Sequence, residues 1–220
     1  MPSTLHSADP TAATGPRQGG PFDRSLPWVL LVGGLIGLTA AFVLTAEKFA
    51  LALDPAYAPT CSINPVLNCG SVMDTPQASA FGFPNSLLGI AGFAVVAAVS
   101  AALLAGAVFA PWFWGAMQLG VTAAAVFVHW LIAQSLYQIG ALCPYCMAVW
   151  AVTVPIFWYV TLRNLDSARS KPVPRQWLRQ WFRQWPDSVI RNHSIPLTVW
   201  FLAVIALIAQ RFWSYWSTLL

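Results

Sequence analysis

Charged residues are scarce in this chain. Eleven Lys/Arg and seven Asp/Glu make up 8% of 220 residues, whereas ordinary globular chains run at about a quarter. So little ionic surface cannot cover a folded domain in water, which excludes a water-soluble single domain. The composition of a disordered chain, low in hydrophobicity and high in charge, is missing too, since 58% of residues are hydrophobic; disorder can only be local. No soluble domain carries clustered Lys/Arg, which argues against nucleic acid as a partner. A typical signal peptide is also absent, because the first apolar run begins only near Leu26 and lacks a small-residue cleavage site. What remains is a small multi-spanning membrane protein.

Residues 1–25 are rich in Ser, Thr, Pro and Gly without an apolar period and are expected to form a disordered cytoplasmic tail. Five apolar runs follow, at 28–45 (continuing to Glu47-Lys48), 86–109, 112–136, 143–162 and 196–208. Most are long enough for a hydrocarbon core of about 30 Å. With the N-terminus inside, nine of the eleven basic residues are cytoplasmic, and only Lys48 and Arg211 lie outside. The positive-inside bias therefore predicts N-in and, after five spans, C-out. In Arg175-Gln176-Trp177-Leu178-Arg179-Gln180-Trp181-Phe182-Arg183-Gln184-Trp185, Arg and Trp each recur every four residues, two positions out of phase. One helical face is cationic and the other aromatic, as in a helix lying among lipid headgroups. The organisation expected is a tail at 1–25, a helical bundle at 26–165 with an outer loop at 49–84, a basic loop at 166–195 and a fifth span at 196–220.

On that topology all four cysteines lie on the outer side, where disulfides persist. Cys61 and Cys69 belong to the outer loop, and Cys143 and Cys146 to the outer end of span four. Cys143-Pro144-Tyr145-Cys146 enters a helix, with Pro144 suited to its first position and Cys143 near the N-terminal N–H groups that favour a thiolate. Such a pair suits opening and closing by exchange. Two static staples or a four-thiolate zinc site are the other readings. Haem attachment is excluded, because Met147 rather than His follows Cys146.

An outer-loop cysteine pair, the segment Phe81-Gly82-Phe83-Pro84-Asn85-Ser86 opening span two and the Cys-Pro-Tyr-Cys opening span four resemble the vitamin K epoxide reductase family, over about residues 28–162. The resemblance implies an all-α membrane protein, a four-helix transmembrane bundle around a quinone with a fifth, peripheral transmembrane helix. It implies a bacterial cytoplasmic-membrane enzyme, a thiol-disulfide oxidoreductase that reoxidises a DsbA-like thioredoxin-fold partner and so supports disulfide formation in exported proteins. The electron acceptor would be a membrane quinone, menaquinone or ubiquinone, with no metal. Cys143 and Cys146 match the active-site pair, with Cys146 facing the quinone. Cys61 and Cys69 match the shuttle pair, Cys61 taking the mixed disulfide with the partner and Cys69 passing electrons to Cys143. Asn85 matches a donor to a quinone carbonyl, and Thr75 a hydroxyl residue beside the site. Trp150 stands where some members carry a tyrosine. Many relatives continue into a fused thioredoxin-like domain, so the partner here is expected to be a separate polypeptide.

A quinone suits the chemistry because it takes two electrons and two protons. A DsbA-like couple near about −120 mV could not pass electrons to a glutathione pool at roughly −180 to −210 mV. DsbB-type oxidases do equivalent work but place the Cys-x-x-Cys first, whereas here it comes last. A vitamin K epoxide or quinone reductase valued for its quinol, and a stapled subunit without turnover, remain alternatives. Asn85 could also cap span two. His129, inside span three, suits a hydrogen bond between helices or a proton path. Glu47 and Lys48 are expected only to mark the end of span one.

Overall fold

A computed structural model describes residues 24–54, 56–169, 192 and 194–218. All but two residues of the expected tail, and the Arg/Trp-patterned segment 175–185, lie outside the described residues. Helices α1 (Ser25–Leu53), α3 (Asn85–Leu104), α4 (Pro111–Gln134), α5 (Pro144–Arg169) and α6 (Ser194–Arg211) are each long and apolar enough to cross a membrane. Between α1 and α3 lie the five-residue α2 (Cys69–Met73) and a 3-10 turn, Pro76–Ser79. A last short helix, α7 (Trp213–Trp216), follows α6. Among the described residues there is no strand, only an isolated parallel bridge between Leu67 and Leu142. The chain is an all-α membrane protein.

Several boundaries differ from the apolar runs, for local reasons. The second span was expected to reach 109, yet α3 stops at Leu104. Gly106, at φ 89°, takes the left-handed conformation that ends helices; its N–H bonds Leu103 O, and the Ala107 N–H bonds Ala102 O. At the far end of α4, Ser135–Ile139 widens into a π turn, closed by Gly140 at φ 70° with its N–H on Ser135 O. Pro144 is the first residue of α5, where its missing N–H costs nothing. The basic loop was expected from 166, but α5 carries its helix to Arg169.

α1 packs closely against α3 and α5, and α4 against α5, while α3 and α4 scarcely touch. The four helices thus form a bundle that is open along one side. Close approach to α1 depends on Gly33, Gly34 and Gly37: a methyl at Gly37 would run into the Phe93 ring, and one at Gly34 would crowd Ala97. Leu30, Phe93, Trp114, Ile156 and Val160 fill the end of the bundle remote from the cysteines. There Gln118 bonds Thr161 at 3.0 Å and Asn164 bonds Gln118 at 3.0 Å, interhelical bonds worth roughly 0.6–2 kcal/mol each in lipid.

α6 buries no residue of its own, which is the peripheral position expected of a fifth helix. Side-chain bonds attach it to the bundle. The Trp200 indole N–H donates to His129 Nε2 at 2.8 Å, and Arg211 Nε donates to Leu136 O at 2.8 Å. His129 Nδ1 lies 2.7 Å from Ala125 O, so its proton sits on Nδ1 and both ring nitrogens are used. The Trp200 contact is a bond between helices. The Arg211 bond has a specific cause. In a continuous α-helix Leu136 O would receive the N–H of residue 140, but the π turn diverts that N–H to Ser135 O, leaving a carbonyl that needs a donor.

Candidate functional site

The loop between α1 and α3 carries the chemistry, and charged residues at the end of α1 hold it. Glu47 is buried, only 6% exposed. Its carboxylate accepts from Thr60 Oγ1 at 2.6 Å, Thr60 N at 3.3 Å and Tyr57 OH at 2.9 Å. The bond to Glu47 pushes the Tyr57 phenol above its ordinary pKa, with burial adding to it. Lys48 donates to Met73 O at 2.8 Å and Ser79 Oγ at 3.2 Å. Glu47 therefore anchors the chain entering Cys61, and Lys48 anchors the chain leaving Cys69. These two residues do far more than mark the end of a span.

Cys61 and Cys69 are joined in a disulfide with Cα atoms 5.6 Å apart. The loop between them is folded by its polar residues. Asn64 Oδ1 accepts from the backbone N–H groups of Val66 and Leu67, at 2.9 and 2.8 Å, and Asn68 caps α2 by accepting from Ser71 N at 3.1 Å. The bridge then joins this loop to the segment before α5: Asn68 N donates to Leu142 O at 2.9 Å and Leu142 N to Val66 O at 2.7 Å. Because Asn68 and Leu142 immediately precede Cys69 and Cys143, pairing the two backbones pairs the two sulfurs. Cys69 Sγ lies 3.0 Å from Cys143 Sγ. The sulfurs of Cys61, Cys69 and Cys143 all fall within 4.8 Å of one another. With two of the three already bonded, the set is laid out for exchange rather than as three thiolates.

Cys143 and Cys146 are free thiols. Cys143 is completely buried, just ahead of the first turn of α5. A hydrogen bond from the Cys146 thiol holds its pKa below the ordinary thiol value; burial opposes this, and the N–H groups of Cys146 and Tyr145 add to it. Cys146, one turn on, forms part of the wall of a cavity of about 150 Å³ together with Lys48, Thr75, Asn85, Ser86, Trp150 and apolar residues such as Leu44, Leu88, Phe127 and Leu131. Gly89 also lines a second cavity, of about 380 Å³, which runs between α3 and α4 past Gly92, Phe93, Val96, Met117 and Val121. This is the open side of the bundle.

The remaining sequence candidates therefore meet around one cavity. Asn85 does not cap α3; Pro84 holds the cap position, and Asn85 is the first helical residue. Its side chain reaches back to the 3-10 turn, Nδ2 donating to Gln77 O at 2.6 Å and Oδ1 accepting from Ala80 N at 3.0 Å. An amide nitrogen has two hydrogens, so one N–H is left for a further acceptor. Thr75 donates its hydroxyl to Val72 O at 2.7 Å. Trp150 is buried in the same wall. Sequence reasoning overlooked Ser86, Gln77 and Lys48. Ser86 bonds Thr45 at 2.8 Å, tying α3 to α1, and Gln77 reaches Gln134 of α4 at 3.4 Å. The adjacent charges Glu47-Lys48 at the end of an apolar run were the available signal for Lys48.

The model of the vitamin K epoxide reductase family matches residues 28–161, more than half of the chain. The chain belongs to the vitamin K epoxide reductase family. No curated protein matches it. The matched region runs from the first turn of α1 into the last turns of α5, so it contains all four cysteines and the cavity. As a vitamin K epoxide reductase family member, the protein is a multi-pass membrane oxidoreductase, of a family generally associated with quinones and thioredoxin-like partners. A Cys61–Cys69 disulfide lies beside its second cysteine pair.

Proposed function

We propose that this protein reoxidises a DsbA-like thioredoxin-fold partner and passes the electrons through its two cysteine pairs to a membrane quinone, supporting disulfide formation in exported proteins. The observation that carries the reading is the 3.0 Å approach of Cys69 to Cys143, with Cys146 in the wall of the adjoining cavity. The residues fit a quinone: the walls are mostly apolar, the second cavity lies on the open side of the bundle, and among the described residues that line the two cavities the polar side chains other than Thr153 belong to the one that Cys146 borders. A quinone bound there would accept two electrons and two protons and leave as the quinol.

A partner thiolate attacks Cys61, the Cys61–Cys69 bond breaks, and Cys69 leaves as a thiolate. The partner's second thiol then resolves the mixed disulfide, releasing oxidised partner and Cys61. Cys69 attacks Cys143 of an oxidised Cys143–Cys146 pair, releasing Cys146; Cys61 closes on Cys69 and frees Cys143. The shuttle pair is then oxidised and the Cys-x-x-Cys pair reduced, the pairing seen in this structure. Cys143 and Cys146 give up two electrons and two protons as their disulfide reforms. Throughout, Asn85 offers its second N–H to an acceptor in the cavity, and Thr75 and Trp150 shape the wall.

The bacterial cytoplasmic membrane is what the family resemblance implies, and the distribution of basic residues supports an orientation with the N-terminus inside, the C-terminus outside and all four cysteines on the extracytoplasmic side. The organisation proposed is a bundle at 26–165, with outer loop 49–84, followed by a basic segment at 166–195, whose first residues to Arg169 continue α5, and a fifth span at 196–220. Two experiments test the function. Wild type, whose Cys61–Cys69 disulfide is intact, mixed with a reduced DsbA-like protein that keeps only its attacking cysteine, should accumulate a partner adduct on Cys61 in nonreducing gels, because the partner has no second thiol to resolve it. Wild type with that partner and a short-chain quinone, under anaerobic conditions, should consume quinone absorbance, and Cys146→Ala should not. No quinone loss in wild type with a competent partner would favour a stapled subunit without turnover.

A further inference from the structure

We infer that Lys48 is a further catalytic residue, its ammonium directed at the oxygen on which negative charge develops as a quinone in the cavity is reduced; this rests on the quinone reading above. Lys48 is the only charged side chain among the described residues that line the cavity. Its neighbour Glu47 is turned elsewhere and already accepts three hydrogen bonds. Among the described residues no carboxylate pairs with Lys48; its two acceptors are neutral, Met73 O and Ser79 Oγ. An ammonium carries three donors, so one N–H remains after these two bonds.

The two bonds also fix where that N–H can reach. Met73 ends α2, and its carbonyl is one of the orphan acceptors at a helix C-terminus, where a cation is favoured. Ser79 ends the 3-10 turn that Asn85 holds from the other side through Gln77 and Ala80. Lys48 and Asn85 thus grip the same short segment, and both line the cavity that Cys146 borders. A cation without a counter-charge against apolar walls is unfavourable unless an anion shares the site. Two-electron reduction of a quinone places negative charge on its oxygens before protons arrive, while the cysteine pair is oxidised to a disulfide and its two protons are released. A preorganised cation stabilises that charge without reorganising.

The test is ligand binding by the full-length protein in detergent, read by quenching of tryptophan fluorescence. The probes are a tail-bearing 2-hydroxy-1,4-naphthoquinone, anionic at neutral pH, and its neutral 2-methoxy ether. Wild type should prefer the anion, and Lys48→Met should lose that preference by about tenfold or more, as expected when an opposite charge a few ångströms away is removed. Lys48→Arg should restore most of it, and affinity for the neutral ether should change little. An equal preference in wild type and Lys48→Met overturns the inference. Parallel loss of both affinities in Lys48→Met, with the ratio kept, overturns it too, because Lys48 would then only hold the wall. Failure of wild type to bind either probe overturns the quinone reading itself, an outcome separate from the other two.

Discussion

The Cys61–Cys69 disulfide is hidden. Cys61 is 5% exposed and Cys69 not at all, so any external thiol must wait for the loop to open, and Glu47 governs that opening. In Glu47→Ala, Thr60 Oγ1 and Thr60 N lose an ionised acceptor, and Tyr57 loses its own at the solvent edge. Hydrogen bonds to a charged group contribute about 1.5–3 kcal/mol. Taking the lower figure for the two Thr60 bonds, and nothing for Tyr57, the closed loop loses about 3 kcal/mol. At about 1.4 kcal/mol per factor of ten, opening becomes roughly a hundredfold more frequent. The assay uses a Cys143→Ser/Cys146→Ser background, so that only Cys61–Cys69 reports. Timed exposure to dithiothreitol, followed by alkylation and mass counting, gives the reduction rate. Glu47→Ala should be reduced about a hundredfold faster, and Glu47→Gln, which keeps one acceptor oxygen, should fall between. Reduction of Glu47→Ala at the wild-type rate, with an unchanged melting temperature, would refute the claim that Glu47 holds the loop closed.

The π turn and the fifth helix can be probed together: Arg211→Met strands Leu136 O and should lower stability by about 1.5–3 kcal/mol, read as a fall in melting temperature in detergent that Trp200→Phe reproduces only in part. An unchanged melting temperature in Arg211→Met would show that α6 does not brace the turn. Gly37→Leu should drive a side chain into Phe93 and destabilise the α1–α3 contact by about 1–3 kcal/mol; a variant that melts like wild type refutes this packing. In Cys146→Ala, attack of Cys143 on Cys69 yields a Cys69–Cys143 disulfide and a free Cys61 thiol. The attacking form is the thiolate, so the rate falls as pH drops through the Cys143 pKa. Loss of the Cys146 hydrogen bond, the largest influence lowering that pKa, should raise it, so the fall occurs at higher pH in Cys146→Ala than in Cys146→Ser, which keeps a donor. Identical pH profiles for the two variants would remove Cys146 as the cause.

Much of this was legible without coordinates, and the physics says why. A membrane helix is long, apolar and uncharged because lipid offers its backbone no partner, so all five spans appear as runs in the composition. Their ends were less legible. Gly106 halts α3 through a backbone conformation, and the π turn after Gln134 depends on one extra residue in a helix whose side chains look ordinary. The helix entry at Cys143-Pro144-Tyr145-Cys146 could be read from spacing, because Pro144 suits a first helical position for purely local reasons. Asn85 and Thr75 were legible only through the family resemblance, and capping, the local reading of Asn85, was wrong because Pro84 takes that position.

Glu47 and Lys48 mark the limit of sequence reasoning most sharply. As adjacent charges at the end of an apolar run they looked like a boundary, and only the folded loop reveals that one anchors the approach to Cys61 while the other enters the cavity. By itself the sequence determined the solvent, the five apolar runs and the family, since each follows from local composition or from the order of a few residues along the chain. Tertiary structure alone decided that Cys69 meets Cys143 across a sequence separation of 74, that α3 and α4 leave the bundle open on one side, and that among the described residues a single cation lines the cavity. Those facts depend on which backbones pair and which helices pack, and distances between segments far apart in sequence leave no periodic or compositional trace.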